Sequence, residues 1–434
     1  MRLISKLMVF FIGCRKIVLD LSPIALNIQL LHQFTKSQKE KLYLVGGSVR
    51  DLILNRSITD LDFVVDRNAI GLAKKFAGSI NGTFIQLETN PPTARIIHKQ
   101  SQLATIYDLA QFRGPDLATD LSRRDLTINA MAYDLDRQII IDPFGGQQDL
   151  RDQVVRFINR QSVIDDPLRM LRLFRLSAQL GFRIPTDSIG LVTSLSNHIK
   201  RSAIERIRDE FLKMLETQSS APILDQMQAT GLLEHFLPVN CYKAISKRIH
   251  AFEVKPIPSS LANYLNQIDP SNNYFSRKVI GSFSRSTLTK LSLIAPLEQL
   301  KPLYLGRKVE KILTEWFSRD QFFPKLGEEP TVFLRQIKDE WLGVVARRFA
   351  SMTGKVTTHF DPIVLSIAAC YYGKMRLIWQ NGPLMTGKQL IENFGIQEGP
   401  KIGEILAYLE NLQFSGSIES PQQAYEAVTK YLDH

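Results

Sequence analysis

The stretch LVGGSVRD (residues 44–51), followed by DLDF (residues 60–63), decides how the rest of the chain is read. Residues 42–45 form a short β-like run, Gly46-Gly47 breaks it, residues 49–54 read as a helix, and residues 61–65 read as a second strand. Side chains two apart on a strand share a face, so Asp60 and Asp62 project together while Leu61 and Phe63 pack inward. Two adjacent carboxylates repel unless a cation neutralises them, and Mg²⁺ takes oxygen ligands and bridges substrate phosphates. Metal ions held in this way activate an attacking hydroxyl and stabilise the leaving oxygen of an in-line displacement. Gly46 and Gly47 stand just ahead of the helix, where backbone N–H groups can approach a triphosphate. The chain carries its own control. Asp134 and Asp136 have the same spacing but no glycine turn before them, and they are read as turn chemistry.

Outward from this centre, residues 103–109 give a third strand, and residues 139–141, after a turn at 134–137, suggest a hairpin that ends at Asp142-Pro143. Beyond Arg151 apolar residues recur at helical spacing through 167–180, 204–215 and 223–236. Gly181 stands where a C-cap glycine stops the first of these helices, and Ser202-Ala203-Ile204-Glu205 has the capping-box form that starts the second. The remainder reads as helical, broken near 256–270, near 324–330 and at Gly382-Pro383. The expected fold class is α+β. Its expected parts are an N-terminal extension (1–40), a head with a mixed sheet (41–150), a helical neck (151–215), a helical body (216–330) and a helical tail (331–434).

The 434 residues, 44% hydrophobic and 22% charged, suffice for several domains. A formal net charge of +11 suits a polyanionic partner, because clustered Lys and Arg release counterions from phosphates. Cys14, Cys241 and Cys370 are far apart, which fits neither a zinc site nor a disulfide framework and suits a reducing cytosol. The apolar run at residues 7–14 is short and meets Arg15-Lys16 at once, unlike a signal peptide. Nothing approaches the roughly 20 apolar residues of a membrane span. The reading is a cytoplasmic protein without a membrane partner.

The segment 44–63 resembles the signature of the nucleotidyltransferase superfamily that includes DNA polymerase beta. That resemblance implies a polymerase beta-like head and a third carboxylate on a neighbouring strand. Asp108, in TIYDL (105–109), matches it, making Asp60, Asp62 and Asp108 the implied catalytic Mg²⁺ ligands. Arg123-Arg124-Asp125, followed by Thr127-Ile128-Asn129-Ala130, resembles the RRDxTINA motif of the CCA-adding and bacterial poly(A) polymerase family. It offers two guanidinium groups for phosphates and a carboxylate for ribose hydroxyls. DDPLRMLRLFR (165–175) is similar to the family's EDxxR motif, with Asp165 where Glu is usual and Arg169, Arg172 and Arg175 recurring every three residues. DPFGGQQDL (142–150) and ERIRDEFLKML (205–215) extend the resemblance, which covers residues 41–238.

The resemblance implies that Gly46, Gly47, Arg50, Arg123, Arg124, Asp125, Asn129, Arg172 and Arg175 surround the nucleotide, while Asp166 and Arg169 read its base. Chemistry supports the reading pair. Cytosine and adenine both present an amine beside a ring-nitrogen acceptor, so Asp166 can accept while Arg169 donates. Uracil and guanine place a carbonyl oxygen against the carboxylate. Asp166 before Pro167 also has the form of an N-cap with proline at N1, which is compatible with a reading role.

The implied activity is that of a class II, bacterial-type tRNA nucleotidyltransferase, with CTP, ATP or both as donors and the tRNA 3′ end as acceptor. Poly(A) polymerases share the motifs, but the ending AYEAVTKYLDH is not the basic tail that would favour them. An RNA-binding protein with a degenerate head would not need the intact Asp60/Asp62 pair. Only residues 114–122 separate Phe112-Arg113 from Arg123, spanning at most about 3.3–3.6 Å each, where CCA-completing members carry a long flexible loop. The short connection implies CC addition only. The C-terminal region carries no assigned motif. His359-Phe360-Asp361 is not the adjacent His-Asp pair of a phosphohydrolase, and Trp316, Trp341 and Trp379 read as core anchors.

Overall fold

The computed structural model describes residues 8–12, 15–19, 25–58, 60–100, 103–237, 242–281, 283–352 and 359–433. Leu7, Cys14 and Cys241 lie outside the described residues. The chain separates into two compact units, Met1–Pro238 and Val239–His434.

The first unit opens with an antiparallel hairpin, β1 (Met8–Ile12) and β2 (Arg15–Leu19), and helix α1 (Ala25–Ser37). Then follow β3 (Leu42–Val45), α2 (Gly47–Ile53), β4 (Asp60–Val65), α3 (Ala69–Ser79), β5 (Thr83–Thr89), β6 (Pro92–Gln100) and β7 (Leu103–Gln111). α4 (Leu117–Ser122), β8 (Ala132–Asp134), β9 (Ile139–Ile141) and α5 (Gly146–Arg151) complete the head. Seven strands form one sheet in the order β5-β6-β7-β4-β3-β8-β9, with β4 and β7 parallel and every other pair antiparallel. The sheet is therefore mixed, as expected. The β5–β6 hairpin, whose first strand is mostly exposed and lacks a buried alternation, enlarges the sheet at one edge beyond the strands expected from sequence.

Strand alternation divides the sheet into two faces. On one, Leu61, Phe63 and Tyr107 are buried beneath α3, where Phe76 meets Tyr107 edge-on with ring centroids 5.4 Å apart. Helix α1 joins this layer, with Phe34 at 5.3 Å from Phe76 and with Ile28 and Leu31 buried. Residues expected only as an extension thus help to cover the sheet. The opposite face carries Asp60 and Asp62 at one end of β4, and at the other end Val64 packs with Val45, Leu121 and Ala132.

Helices α6 (Arg160–Asp165), α7 (Arg169–Leu180), α8 (Thr186–Leu195), α9 (Ile204–Leu215) and α10 (Ser220–Ala229) finish the unit. α7 ends at Gly181, as expected. The capping box expected at Ser202 does not form. The cap of α9 is Ala203, one residue later, which leaves the Ser202 hydroxyl without a hydrogen bond.

The second unit is helical apart from a small hairpin, Lys278–Ile280 with Phe283–Ser284, among the described residues. Trp316 and Trp341 are buried there, as core anchors should be, while Trp379 is only partly buried. Lys290 and Glu253 form a buried ion pair at 2.7 Å. No helix among the described residues is long and apolar enough to cross a membrane.

Candidate active site

The parallel register of β4 and β7 sets Asp62 directly beside Asp108, and Asp60 shares their face two residues up the strand. Three carboxylates therefore meet on the open side of the sheet. Burial pushes the Asp62 carboxyl up to about 6, with the charges of Asp108 and then Asp60 adding to the rise against the pull of Arg124 and Arg50. Arg95, opposite Asp108 on β6, grips that residue with a two-toothed fork, Nε to Oδ1 at 2.8 Å and Nη2 to Oδ2 at 2.7 Å. Its Nη2 also stands 3.9 Å from Asp60 Oδ2.

Among the described residues no three His, Cys, Asp or Glu side chains are drawn together as a ready metal cage. The donor set nevertheless fits a hard divalent cation. Such ions, Mg²⁺ above all, are commonly held by one or two carboxylates with the rest of the shell from water and substrate phosphate. A paired, partly buried set of carboxylates whose charges oppose one another's ionisation is what a cation stabilises.

The glycine turn brings the backbone to this cluster. Gly46 adopts φ +68°, a left-handed conformation that favours glycine, and a Cβ there would stand 3.0 Å from Arg124 Nη1 and 3.8 Å from Asp62 Oδ2. Helix α2 has only seven residues, so the glycines matter for close approach more than for a helix dipole. Ser48, which the sequence reading passed over, is buried behind them. Its hydroxyl donates to the Asp60 carbonyl at 3.1 Å and accepts from the Asp62 N–H at 2.9 Å, fixing the strand that bears the carboxylates.

Arg124 turns toward Asp62 because buried Asp120 accepts from its Nε and Nη2, at 3.2 and 3.0 Å. Asp120 was also missed, although its spacing of four residues from Arg124 is a recognisable helical pair. Arg123 is exposed and bonds the Arg113 carbonyl.

Several residues expected around the nucleotide also bond to one another or to neighbouring side chains. Arg50 donates to Asp51 and, at 2.7 Å, to Asn129 Oδ1. Asn129 in turn donates to Asp125 Oδ1 at 3.1 Å. Asp125 is buried, which alone would raise its pKa, but Arg172 at 2.8 Å, Asn129 and the Leu126 N–H outweigh that and hold it below the usual carboxylate range. Arg175 is drawn to Glu210 at 2.6 Å and Gln179 at 2.7 Å.

The two candidate base readers are tethered as well. Arg169 donates to the carbonyls of Arg124 and Arg123, at 2.8 and 2.7 Å. Asp166 accepts weakly from the Leu168 N–H at 3.3 Å and pairs with Arg206 of α9 at 3.2 Å. It thus begins the turn into α7 and keeps an oxygen toward a cation. Arg206 was not singled out from sequence, since a partner 40 residues away leaves no local pattern.

DPFGGQQDL supports the TINA turn. Asp142 accepts from the N–H groups of Gly146 and Gln147, and Asp149 accepts from the Thr127 hydroxyl at 2.6 Å. A Cβ on Gly146 would stand 2.3 Å from the Thr127 carbonyl oxygen, so α5 packs directly on that backbone. Gly146→Ala is expected to destabilise the protein by about 1–3 kcal/mol or more through overpacking. A denaturant melt with an unchanged midpoint would refute it. The Asp134/Asp136 control holds: Asp134 Oδ1 accepts from the Asp136 and Arg137 N–H groups, as a turn residue should.

Comparison with known proteins fits this geometry. Residues 42–156 match the family described as "Poly A polymerase head domain", and residues 181–241 match "Probable RNA and SrmB- binding site of polymerase A". The chain is 34% identical to a CC-adding tRNA nucleotidyltransferase of Geobacter sulfurreducens, over 89% of this chain and 91% of the relative. It is 28% identical to a CC-adding tRNA nucleotidyltransferase of Synechocystis, over 88% and 91%. Among solved structures, a CCA-adding enzyme in an apo form superposes with a TM-score of 0.66, at 23% identity and covering 94% of each chain. The Thermotoga maritima CCA-adding enzyme complexed with tRNA gives a TM-score of 0.62, at 23% identity and over 94% and 96% of the two chains. These likenesses extend the shared fold through both units.

Proposed function

Because this chain belongs to the class II family of CC- and CCA-adding tRNA nucleotidyltransferases, we propose that it extends the 3′ end of tRNA without a template, using CTP as its donor. The observation that carries the reading is the joint placement of Asp60, Asp62 and Asp108 on an open sheet face, beside the Gly46 backbone and Arg124. In the reaction the oxygen of the terminal 3′ hydroxyl forms a bond to the α-phosphorus, and the bond to the departing pyrophosphate breaks.

Mg²⁺ held by Asp60 and Asp62, with Asp108 beside them, would polarise the hydroxyl and neutralise charge on the phosphates. The protein's own groups bind and orient. Arg113, Arg124 and Arg169 crowd together, and Arg113 loses basicity first through burial and next through Arg124, so this corner favours an anion such as a triphosphate. The exposed Arg123 adds a further donor. The chain Arg50–Asn129–Asp125–Arg172 locks the turn that carries these arginines onto α7. Asp166 and Arg169 then face the base edge. The two relatives named as CC-adding, and the filling of the connection before Arg123 by the short capped helix α4, support CC addition over full CCA synthesis.

The protein is expected to incorporate labelled CTP into a tRNA lacking its CCA end, with Mg²⁺ present, and to stop when the ion is chelated. Repeated AMP addition to unstructured RNA would make it a poly(A) polymerase instead. Failure to incorporate any nucleotide would end the reading.

A further inference from the structure

Arg95 takes no part in the expected nucleotide pocket, yet it makes the closest contacts described in the carboxylate cluster. Its fork engages both oxygens of Asp108, at 2.8 and 2.7 Å, and reaches within 3.9 Å of Asp60. An arginine guanidinium keeps its positive charge in proteins. Arg95 is one-third exposed, at the edge of the open face and not buried beneath it. Arg95 thus offsets one of the three carboxylate charges, and Arg124 and Arg50 add further positive charge around Asp62.

We propose that Arg95 is a built-in counter-ion that keeps metal binding by the free protein weak, so that the divalent ion arrives together with the nucleoside triphosphate. The inference rests on the reading of Asp60 and Asp62 as the metal-holding pair. A positive charge this close repels a second cation by Coulomb's law, and the partial burial of Asp62 limits screening by salt. While Asp108 is gripped, the ion finds only two carboxylates. That is too few for tight Mg²⁺ binding unless phosphate oxygens complete the shell.

The opposite role is also chemically sound. A group hydrogen-bonded to a ligating carboxylate can orient it, and losing such a group typically weakens metal binding 10–100-fold. The two roles predict opposite signs. Mn²⁺, followed by its electron paramagnetic resonance signal during titration without nucleotide, separates them.

Arg95→Gln is expected to bind Mn²⁺ about tenfold tighter than the parent or better, a size comparable to other effects at the edge of a metal site. Arg95→Met, which keeps the aliphatic stem, should do the same and serves if the glutamine variant does not fold. Arg95→Lys, which keeps the charge, should stay near the parent. The difference between Arg95→Gln and the parent should shrink when a non-hydrolysable CTP analogue is present. Equal or weaker Mn²⁺ binding by both neutral variants overturns the proposal. Asp62→Asn tests the underlying reading separately: unchanged Mn²⁺ binding there removes the metal site itself. If Asp62→Asn abolishes binding but neither neutral variant tightens it, the counter-ion role alone fails.

Discussion

Asp62→Ala, purified and folded, is expected to incorporate nucleotide roughly 10³-fold more slowly than the parent or worse, equivalent to about 4 kcal/mol of lost transition-state stabilisation. The size follows from placement. Asp62 is the central member of the facing carboxylates, with Asp60 on its own strand and Asp108 directly across from it. On the proposed reading, its removal would leave only two carboxylates for the metal, one of them gripped by Arg95. The fold should survive, because relieving a carboxylate whose ionisation is opposed by burial and like charge removes a cost to the native state. Relative to the unfolded chain, that cost sets in as the pH rises above the ordinary carboxylate value of 3.8 and is complete above about 6, so the gain in stability should grow across that interval and level off beyond it. Circular dichroism and a single-turnover assay together decide the matter. Turnover within tenfold of the parent by a folded variant would remove Asp62 from the chemistry.

The second large effect concerns where synthesis stops. Given a tRNA lacking all three terminal nucleotides, with CTP and ATP both present, the product is expected to halt at CC, and ATP alone should leave a CC-ending tRNA unextended. Moving a pocket from cytosine to the larger adenine requires the reading pair to shift, which a mobile lid can drive. In this chain the connection from β7 to Arg123 is folded down. Asp116 caps α4 by accepting from the Thr119 N–H at 2.7 Å, Leu121 is buried, and Asp120 ties the helix to Arg113 and Arg124. Such a segment is a wall and not a lever. Sequencing gel analysis of the extended tRNA reads the outcome directly, and efficient A addition would show that another segment performs the switch.

The carboxylate pair and its glycine turn were legible in the sequence because both depend on neighbours within a few residues: the two-residue period of a strand and a backbone turn that favours glycine. The helices of the neck were legible from apolar spacing for the same reason. Arg95 was not. Its role depends on the register of β6 against β7, and β5, whose side chains are mostly exposed, lacks the buried alternation that marks a strand. Nor could spacing tell that Arg50, Asp125, Arg172 and Arg175 spend their charge on Asp51, Asn129 and Glu210 as well. A guanidinium in a motif looks the same on paper whether it faces a ligand or a partner side chain. Ser202 failed for a smaller reason, a shift of one residue in where α9 begins.

The hold of Arg169 on the carbonyls of Arg123 and Arg124 bears on any attempt to recode this pocket. A designer who wished to change the accepted base would naturally exchange Arg169, the proposed reading arginine, first. In this chain that residue is also a strut beneath the phosphate-side arginines, so its replacement would alter grip and choice at once and confound the two in every assay. Asp166 carries no such second duty on the head. Its other neighbour, Arg206, arrives from a separate helix and can be varied with it. Libraries aimed at new nucleotide preferences should therefore randomise Asp166 with Arg206 and leave Arg169 fixed.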